Sequence, residues 1–443
     1  MSKTIIIIGA GLAGLSAALQ AAENGCNVKL VSSLPSERAQ SVMAEGGINA
    51  ALNTKDENDS PEEHFTDTIK AACGLADPNA VWGMTQAAPE LVHWLLKLGV
   101  KFNMSGYDDV DLRNFGGQKK KRTAFAQSDT GKQIMTAMID AVRRKEASGM
   151  VERFSHHSFL TLRLCGNICC GCVIRDEYSQ ETVELPGDAV IVATGGMHGL
   201  FGNTTGSLSN TGEVTAELFR LGVPLANGEM IQYHPTTVKC GGKRMLISEA
   251  ARGEGGRLFA MKDGKQWYFM EEKYPELGNL MPRDITAREI WKVSHESEVF
   301  LDMTEISEEI ISNKLSGLAD DCMTYLHKDI RKEPVSVLPG IHYFMGGILV
   351  DEQHRTPIQN LYAAGECCAQ YHGANRLGGN SLLGALYGGR VAAKSACEQA
   401  DVVDLSCATQ IDFPPASQIS EIKQLNKVMQ EILWALSEMR IRC

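Results

Sequence analysis

Apolar residues run unbroken from Ile5 to Ile8, a glycine-rich stretch follows, and small or aliphatic side chains dominate the next positions through Ala22. A short apolar run ending at a glycine predicts a strand buried on both faces, and the small residues predict a helix packed close against it. Val28–Val31 completes the pattern as a second strand. The same signature returns at Ala189–Val192 and from Asn360 to Ala364, where each predicted strand runs directly towards glycine. Leu162–Arg175 reads as two short strands around Gly166-Asn167, and a helix is expected to begin near Asn380. Near the end, Ile422, Leu425, Met429, Ile432, Leu433 and Leu436 recur at helical spacing. They predict one packing helix after a linker through Pro414-Pro415.

Composition narrows the class. The chain has 443 residues, 44% hydrophobic and 22% charged, so it can bury a large core and is not a disordered or coiled-coil protein as a whole. Its length suggests about three domains. The net charge of −11 argues against nucleic-acid binding, which needs a positive surface. Thirteen cysteines are too few for a disulfide scaffold. Cys165, Cys169, Cys170 and Cys172 cluster within the predicted strand pair, and no metal centre is expected there. No run approaches the ~18 apolar residues of a membrane span, and Ile5–Ile8 is too short for a signal segment. The expectation is a cytoplasmic protein.

The glycines carry the first chemistry. Gly9-Ala10-Gly11-Leu12-Ala13-Gly14 lies between a predicted strand and helix, the β–α–β context in which GxGxxG signals a dinucleotide. Gly9 allows the tight turn, Gly11 lets a pyrophosphate approach the backbone, and Gly14 lets helix and strand pack closely. The second strand ends in Ser32-Ser33 rather than an acid, so the ribose contact is expected from a hydroxyl or backbone. Such a start suits NAD or FAD. Ala193-Thr194-Gly195-Gly196 after an apolar strand marks flavoproteins, and Gly365-Glu366 offers the acid that meets the flavin ribityl chain in two-dinucleotide-fold flavoproteins. FAD is therefore the expected cofactor. Its domain is discontinuous, over residues 1–220 and 336–400, with an inserted capping domain over 221–335 and a short C-terminal linker and helix over 401–443.

Longer motifs lie between these landmarks: Ala44-Glu45-Gly46-Gly47-Ile48-Asn49, Asn114-Phe115-Gly116-Gly117, Gln232-Tyr233-His234-Pro235-Thr236 and Ser248 to Gly256. Pro282-Arg283-Asp284, His342 to Gly347 and His372 to Leu382 follow. Together they resemble the flavoprotein subunit of succinate dehydrogenase and fumarate reductase, in the form found in Gram-positive bacteria, within a superfamily that includes L-aspartate oxidase. The resemblance covers about residues 4–397. It implies an α/β fold: a discontinuous Rossmann-like FAD-binding domain, an inserted α+β capping domain and a shortened C-terminal helical segment.

The physics of the motif residues points the same way. A dicarboxylate beside a flavin needs fixed positive or donor groups at both ends, and His234, His342 and Arg376 sit in segments short of other charges. His64, His93 and His295 are expected to be ordinary core histidines. The resemblance implies that His342 and Arg376 hold one carboxylate. His234, Ser248 and backbone near Gly46, Gly47 and Gly117 would hold the other, and Phe115 would lie against the substrate. It further implies hydride transfer from flavin N5 and proton transfer from Arg283, with Glu249 and Arg252 as the relay that reprotonates it. FAD would be bound by Gly9, Ala10, Gly11, Leu12, Ala13, Gly14, Ser32, Ser33, Ser41, Ala44, Gly46, Gly47, Ala193, Thr194, Gly195, Glu366, Asn380, Ser381 and Leu382. The helix from Asn380-Ser381-Leu382 would turn its positive end to the flavin pyrimidine.

Two departures from the family matter. Members that tether FAD covalently carry a histidine four residues before the alanine of the AxGG element, and Gln40 stands there. Non-covalent FAD is therefore expected, with fumarate reduction favoured over succinate oxidation. The family's long helical C-terminal region, which helps dock an iron–sulfur partner, is nearly absent. The expected partners remain a small dicarboxylate and an iron–sulfur or other electron-transfer subunit, through which the chain could lie peripheral to a membrane. L-aspartate oxidase is the enzymatic alternative. That branch typically has cysteine at Met345 and Met-Ala at Leu377-Gly378, and Lys262 to Pro275 also reads as the dehydrogenase/reductase branch. A catalytically idle flavoprotein subunit is the alternative from outside the enzymes.

Overall fold

The apolar N-terminal run forms strand β1 (Thr4–Ile8), the small-residue stretch helix α1 (Leu12–Glu23), and the next apolar run strand β2 (Asn27–Ser32). The computed structural model describes residues 2–106 and 108–400. The predicted helix around Ile422–Leu436 lies outside the described residues. Further along come α2 (Pro78–Lys97), α3 (Thr130–Ala147), β3 (Val151–Ser155) and β4 (Ala189–Val192).

These strands, with a fifth from Leu361 to Ala363, form one parallel sheet. From one edge its order is Leu361–Ala363, β4, β1, β2, β3. Successive side chains of a strand point to opposite faces. Ile5 and Ile7 accordingly enter one core with α1, α2 and α3, while Ile6 and Ile8 enter another on the opposite face. That second face is covered by a three-stranded antiparallel sheet over His157–Cys165, Ile168–Asp176 and Thr182–Pro186. The two short strands read around Gly166-Asn167 are its first hairpin. Burial on both faces explains why these runs show no polar alternation.

The turn after β1 depends on its glycines. Gly9 has φ +110°, and a Cβ on it would collide with the carbonyl of Ala193, at the end of β4. A Cβ on Gly14 would collide with the Gly9 carbonyl. Helix and both strand ends therefore meet backbone to backbone, which fixes where the N-terminus of α1 points.

A separate apolar core involves residues from Phe115 to Val337 and is dominated by Ile247–Val337. Its sheet is antiparallel, in the order Lys265–Trp267, Arg257–Lys262, Val299–Asp302, Val335–Ser336. Between the two bodies runs a three-stranded antiparallel sheet of β5 (Ile231–Cys240), β6 (Lys243–Leu246) and β7 (Leu338–Phe344). Helix α4 (Asn380–Gln399) returns along α1, where the Ser16 hydroxyl donates to the Leu386 carbonyl at 2.6 Å.

Candidate active site

One large cavity, about 590 Å³, extends from the turn after β1 to the junction of the two bodies. At the first end it is walled by Gly9–Ala13, Ser32, Ser33, Ser41, Ala44, Gly46, Gly47 and Ala193–Gly196. Glu366, Ser381 and Leu382 continue the wall. Ser32 Oγ is buried there without a hydrogen-bond partner, at the strand end where a ribose contact is expected. A Cβ on Gly11 would meet nothing closer than 3.7 Å, which leaves this backbone open to a large group. Ser41 Oγ accepts from the Leu12 N–H at 3.3 Å, in the first turn of α1, where helix N–H groups favour anions. These observations fit a dinucleotide with its pyrophosphate at the helix start.

Two expected cofactor residues lie off the cavity wall. Gly14 packs against the Gly9 backbone. Asn380 turns its side chain into a buried network, accepting from Asn49 Nδ2 at 2.8 Å, lying 2.9 Å from His64 Nε2 and donating to Thr68 Oγ1 at 3.0 Å. His64 is therefore a core histidine, its imidazolium form suppressed to a pKa of about 3 by burial and then by the Arg122 charge. His93 and His295, expected in the core, are instead exposed, each ring bonded to a preceding backbone carbonyl, Pro89 and Trp291 respectively. His93 falls on the solvent side of α2, and His295 lies in the turn just past the helix Arg283–Val293.

At the other end the strands of the junction sheet are irregular where the chemistry lies. Gln232 pairs with Tyr343 and Tyr233 with Ile341, so His342 is an extra, bulged residue. A second bulge follows His234, at Pro235-Thr236. Bulges re-aim side chains, and here the rings of His234 and His342 end 5.1 Å apart. Each ring has its Nδ1 occupied: His342 by Thr205 Oγ1 at 2.8 Å, His234 by the Thr236 carbonyl at 3.0 Å and N–H at 3.3 Å. Burial pushes both pKa values well below 6.5. Beyond burial, Arg283 then Arg252 act on His234, and His234, then Arg283 and Arg376, act on His342, all disfavouring the imidazolium, so both rings are neutral.

Beside them lies a buried charge cluster. The segment Glu249–Gly253 is one short helix with Ser248 as its N-cap, its Oγ accepting from the Ala250 N–H at 3.4 Å. Glu249 Oε2 accepts from Arg283 Nε at 2.8 Å and Nη2 at 2.6 Å. Its Oε1 accepts from the Gly116 N–H at 2.9 Å and lies 3.4 Å from Arg252 Nη2. Burial alone would raise the Glu249 pKa, but Arg283 and Arg252 outweigh it and hold the carboxyl below its ordinary range. Arg252 sits behind the cavity wall with its side chain shut from solvent, donating to the Asn279 carbonyl at 2.6 Å. Gly117 is also off the wall. Phe115 and Gly46 touch, since a Cβ on Gly46 would lie 3.0 Å from the phenyl ring.

Arg376 is the unbalanced member. It is buried, lies over the Tyr343 ring at 4.4 Å, makes no ion pair among the described residues, and its Nε has no hydrogen-bond partner. Burial, followed by the Arg283 charge, lowers its pKa to about 9. Glu45, also on the wall, does not balance it. Burial, then Asp321, pushes that carboxyl to about 8, so it is mostly protonated at neutral pH. Arg252, Arg283 and Arg376 thus face one ionised carboxylate, Glu249, at this end of the cavity.

Two further residues belong to the site without having been singled out from sequence. Gln232 accepts from Arg283 Nη1 at 3.1 Å and donates to the Arg376 carbonyl at 2.7 Å, bridging the two arginines. His198 is buried against Glu366, with Nε2 3.2 Å from Oε1. The available signal was position: Gln232 stands two before His234, and His198 two after the Gly195-Gly196 pair.

Residues 4–382 match a family described as FAD binding domain. The succinate dehydrogenase flavoprotein subunit of Bacillus subtilis (strain 168) is 44% identical over 413 residues, 91% of this chain and 70% of that protein. The L-aspartate oxidase of Streptomyces coelicolor is 33% identical over 432 residues, 94% of this chain and 73% of that one. Among solved structures, a chain of E. coli quinol fumarate reductase superposes with a TM-score of 0.85 at 29% identity, covering 96% of this chain and 74% of that chain.

The buried neutral histidine beneath α4 makes a pH prediction. Its folded pKa of about 3 lies below the unfolded value, so the unfolded chain binds the extra proton and stability falls as pH drops below about 6.5. Between pH 6 and 5, one such histidine contributes a slope of about 1 kcal/mol per pH unit. Denaturant titrations of H64Q should show a slope shallower by about that amount. An unchanged slope would mean that His64 is not held neutral.

Proposed function

The chain belongs to the family of FAD-binding flavoprotein subunits of succinate dehydrogenase and fumarate reductase, and from that premise we propose that it interconverts fumarate and succinate, favouring fumarate reduction. It is a flavoprotein oxidoreductase. Bound FAD supplies the two-electron chemistry, as a hydride donor or acceptor. Its support would come from Gly9–Ala13, Ser32, Ser33, Ser41, Ala44, Gly46, Gly47, Ala193–Gly195, Glu366, Ser381 and Leu382, with Gly14 and Asn380 shaping the turn and the helix start behind them.

The observation that carries the substrate class is the surplus of buried positive charge. Isolated buried charge is costly, and Arg376 makes no ion pair with a carboxylate among the described residues. A substrate carboxylate would supply it, with the neutral His342 ring donating from Nε2 on the same side. The second carboxylate would meet His234 and the Ser248 hydroxyl, with Phe115 against the carbon chain. Two anionic ends suit a site with three guanidinium groups better than one would.

Arg283 is the proton donor in this reading. It is held at three points by Glu249 and Gln232, so the guanidinium has little freedom to turn away. Glu249, in contact with both arginines, would relay the replacement proton: its carboxylate takes one from Arg252 and passes it to the neutral Arg283, and Arg252 is recharged from solvent. A guanidinium gives up a proton reluctantly, and a developing carbanion in a water-poor site would favour the transfer.

Gln40 lies on the cavity wall where covalently tethered members have histidine. An amide side chain offers no comparable nucleophile, so FAD is held without a covalent bond. The partner in this reading is an iron–sulfur or other electron-transfer subunit, since the similar Bacillus subtilis succinate dehydrogenase protein is itself one subunit of a larger enzyme. No helix among the described residues is long and apolar enough to cross a membrane.

Fumarate-dependent oxidation of a reduced dye by the FAD-loaded protein is the direct test. R283K should keep its FAD but lose about 10²–10⁴-fold in that rate, since lysine cannot reproduce the three-point hold. Aspartate-dependent peroxide formation without fumarate turnover would instead assign the chain to the L-aspartate oxidase branch. A separate check is acid denaturation followed by filtration: all the flavin should pass into the filtrate. Flavin retained on the polypeptide would refute the non-covalent assignment.

A further inference from the structure

We propose that His198 is a positioning residue for the cofactor, holding Glu366 so that one carboxylate oxygen is fixed and the other is presented to a hydroxyl of the bound FAD. This rests on the reading that the cavity takes FAD. His198 is fully buried at the start of the short helix His198–Phe201. Its Nδ1 lies 2.7 Å from Thr204 Oγ1 and its Nε2 3.2 Å from Glu366 Oε1. In the proposed arrangement the imidazole donates from Nε2 to the Glu366 oxygen, and its Nδ1 accepts the single Thr204 hydroxyl proton.

The same Oε1 also accepts the Phe344 N–H at 3.0 Å, and the His198 ring stands edge-on to Phe344 at 5.0 Å. Oε2 of Glu366 makes no hydrogen bond among the described residues, and Glu366 lines the cavity. The imidazole cannot drift, because a Cβ on Gly206 would already overlap its ring. Its anchor reaches the substrate end too. Thr204 and Thr205 both approach the Ile341 carbonyl, and Thr205 Oγ1 lies 2.8 Å from His342 Nδ1. One strap of chain thus sets the acid facing the cofactor and a histidine facing the substrate.

The test is the dissociation constant of FAD from the full-length protein, followed by flavin fluorescence during reconstitution. Asparagine can keep the Thr204 contact but cannot reach Glu366, whereas glutamine places its amide near the Nε2 position. H198N should weaken FAD binding about tenfold, the worth of one hydrogen bond to a charged group. H198Q should recover most of that loss, and H198N/E366Q should bind no more weakly than E366Q alone. Should H198N not fold, H198F against H198Q gives the same comparison. Equal losses in H198N and H198Q, with a double variant that adds them to the E366Q loss, would overturn the proposal and leave the FAD reading standing. A wild-type chain that takes up no FAD would overturn both.

Discussion

Everything at the catalytic end of this protein depends on a buried carboxylate, Glu249, shared between Arg283 and Arg252. Removing one partner of such a group leaves an uncompensated charge in a poorly solvated place, which costs several kcal/mol. The surrounding sequence is shaped to admit it. Gly116 donates its N–H to Oε1, and a side chain there would overlap that oxygen at 2.5 Å. Gly378 faces the other oxygen with 2.8 Å to spare for a Cβ, which is too little. Glycine at both positions lets backbone from two distant segments close around one carboxylate, while the arginines arrive from the helices Glu249–Gly253 and Arg283–Val293.

That closure leaves an electrostatic imbalance. Glu249 is fully used by its two arginines, Glu45 is largely protonated, and Glu366, with Oε1 on His198 and the Phe344 N–H, makes no ion pair with Arg376 among the described residues. Arg376 is left over the face of Tyr343, an attraction that partly replaces water without cancelling the charge. A fold does not keep a guanidinium in this condition for its own stability. In the proposed reading the anionic ends of a substrate complete this site, and the parallel sheet with its glycine turn offers the place for the flavin beside it.

Much of this was legible in the sequence. The apolar runs located four of the five parallel strands to within a residue or two, because strands buried on both faces leave no room for polar alternation; the less buried edge strand Val151–Ser155 carries no such run. Gly9, Gly11 and Gly14 announced the turn because close backbone approach excludes other residues. What could not be read was anything set by register. His342 was named from its motif, but the bulge that makes it an extra residue, and brings it to the cavity alongside Tyr343, could not be read. Asn380 was expected against the cofactor, but its side chain satisfies His64 and Asn49 below the helix start. His93 lies among apolar neighbours in sequence yet projects to solvent, since a helix turns each residue 100° from the last; His295 is exposed because it falls in the turn after the helix Arg283–Val293.

The central claim is that the unpaired charge of Arg376 is a cost the empty site bears and a dicarboxylate removes. The most direct measurement is the thermal midpoint of the FAD-loaded protein and of R376M, each with and without succinate. Succinate at about 100 times its dissociation constant should stabilise the wild type by about 2.7 kcal/mol. R376M should melt no lower than the wild type without succinate, because methionine fills the space without a charge, and should gain nothing when succinate is added. An R376M protein that is stabilised by succinate as much as the wild type would contradict the account.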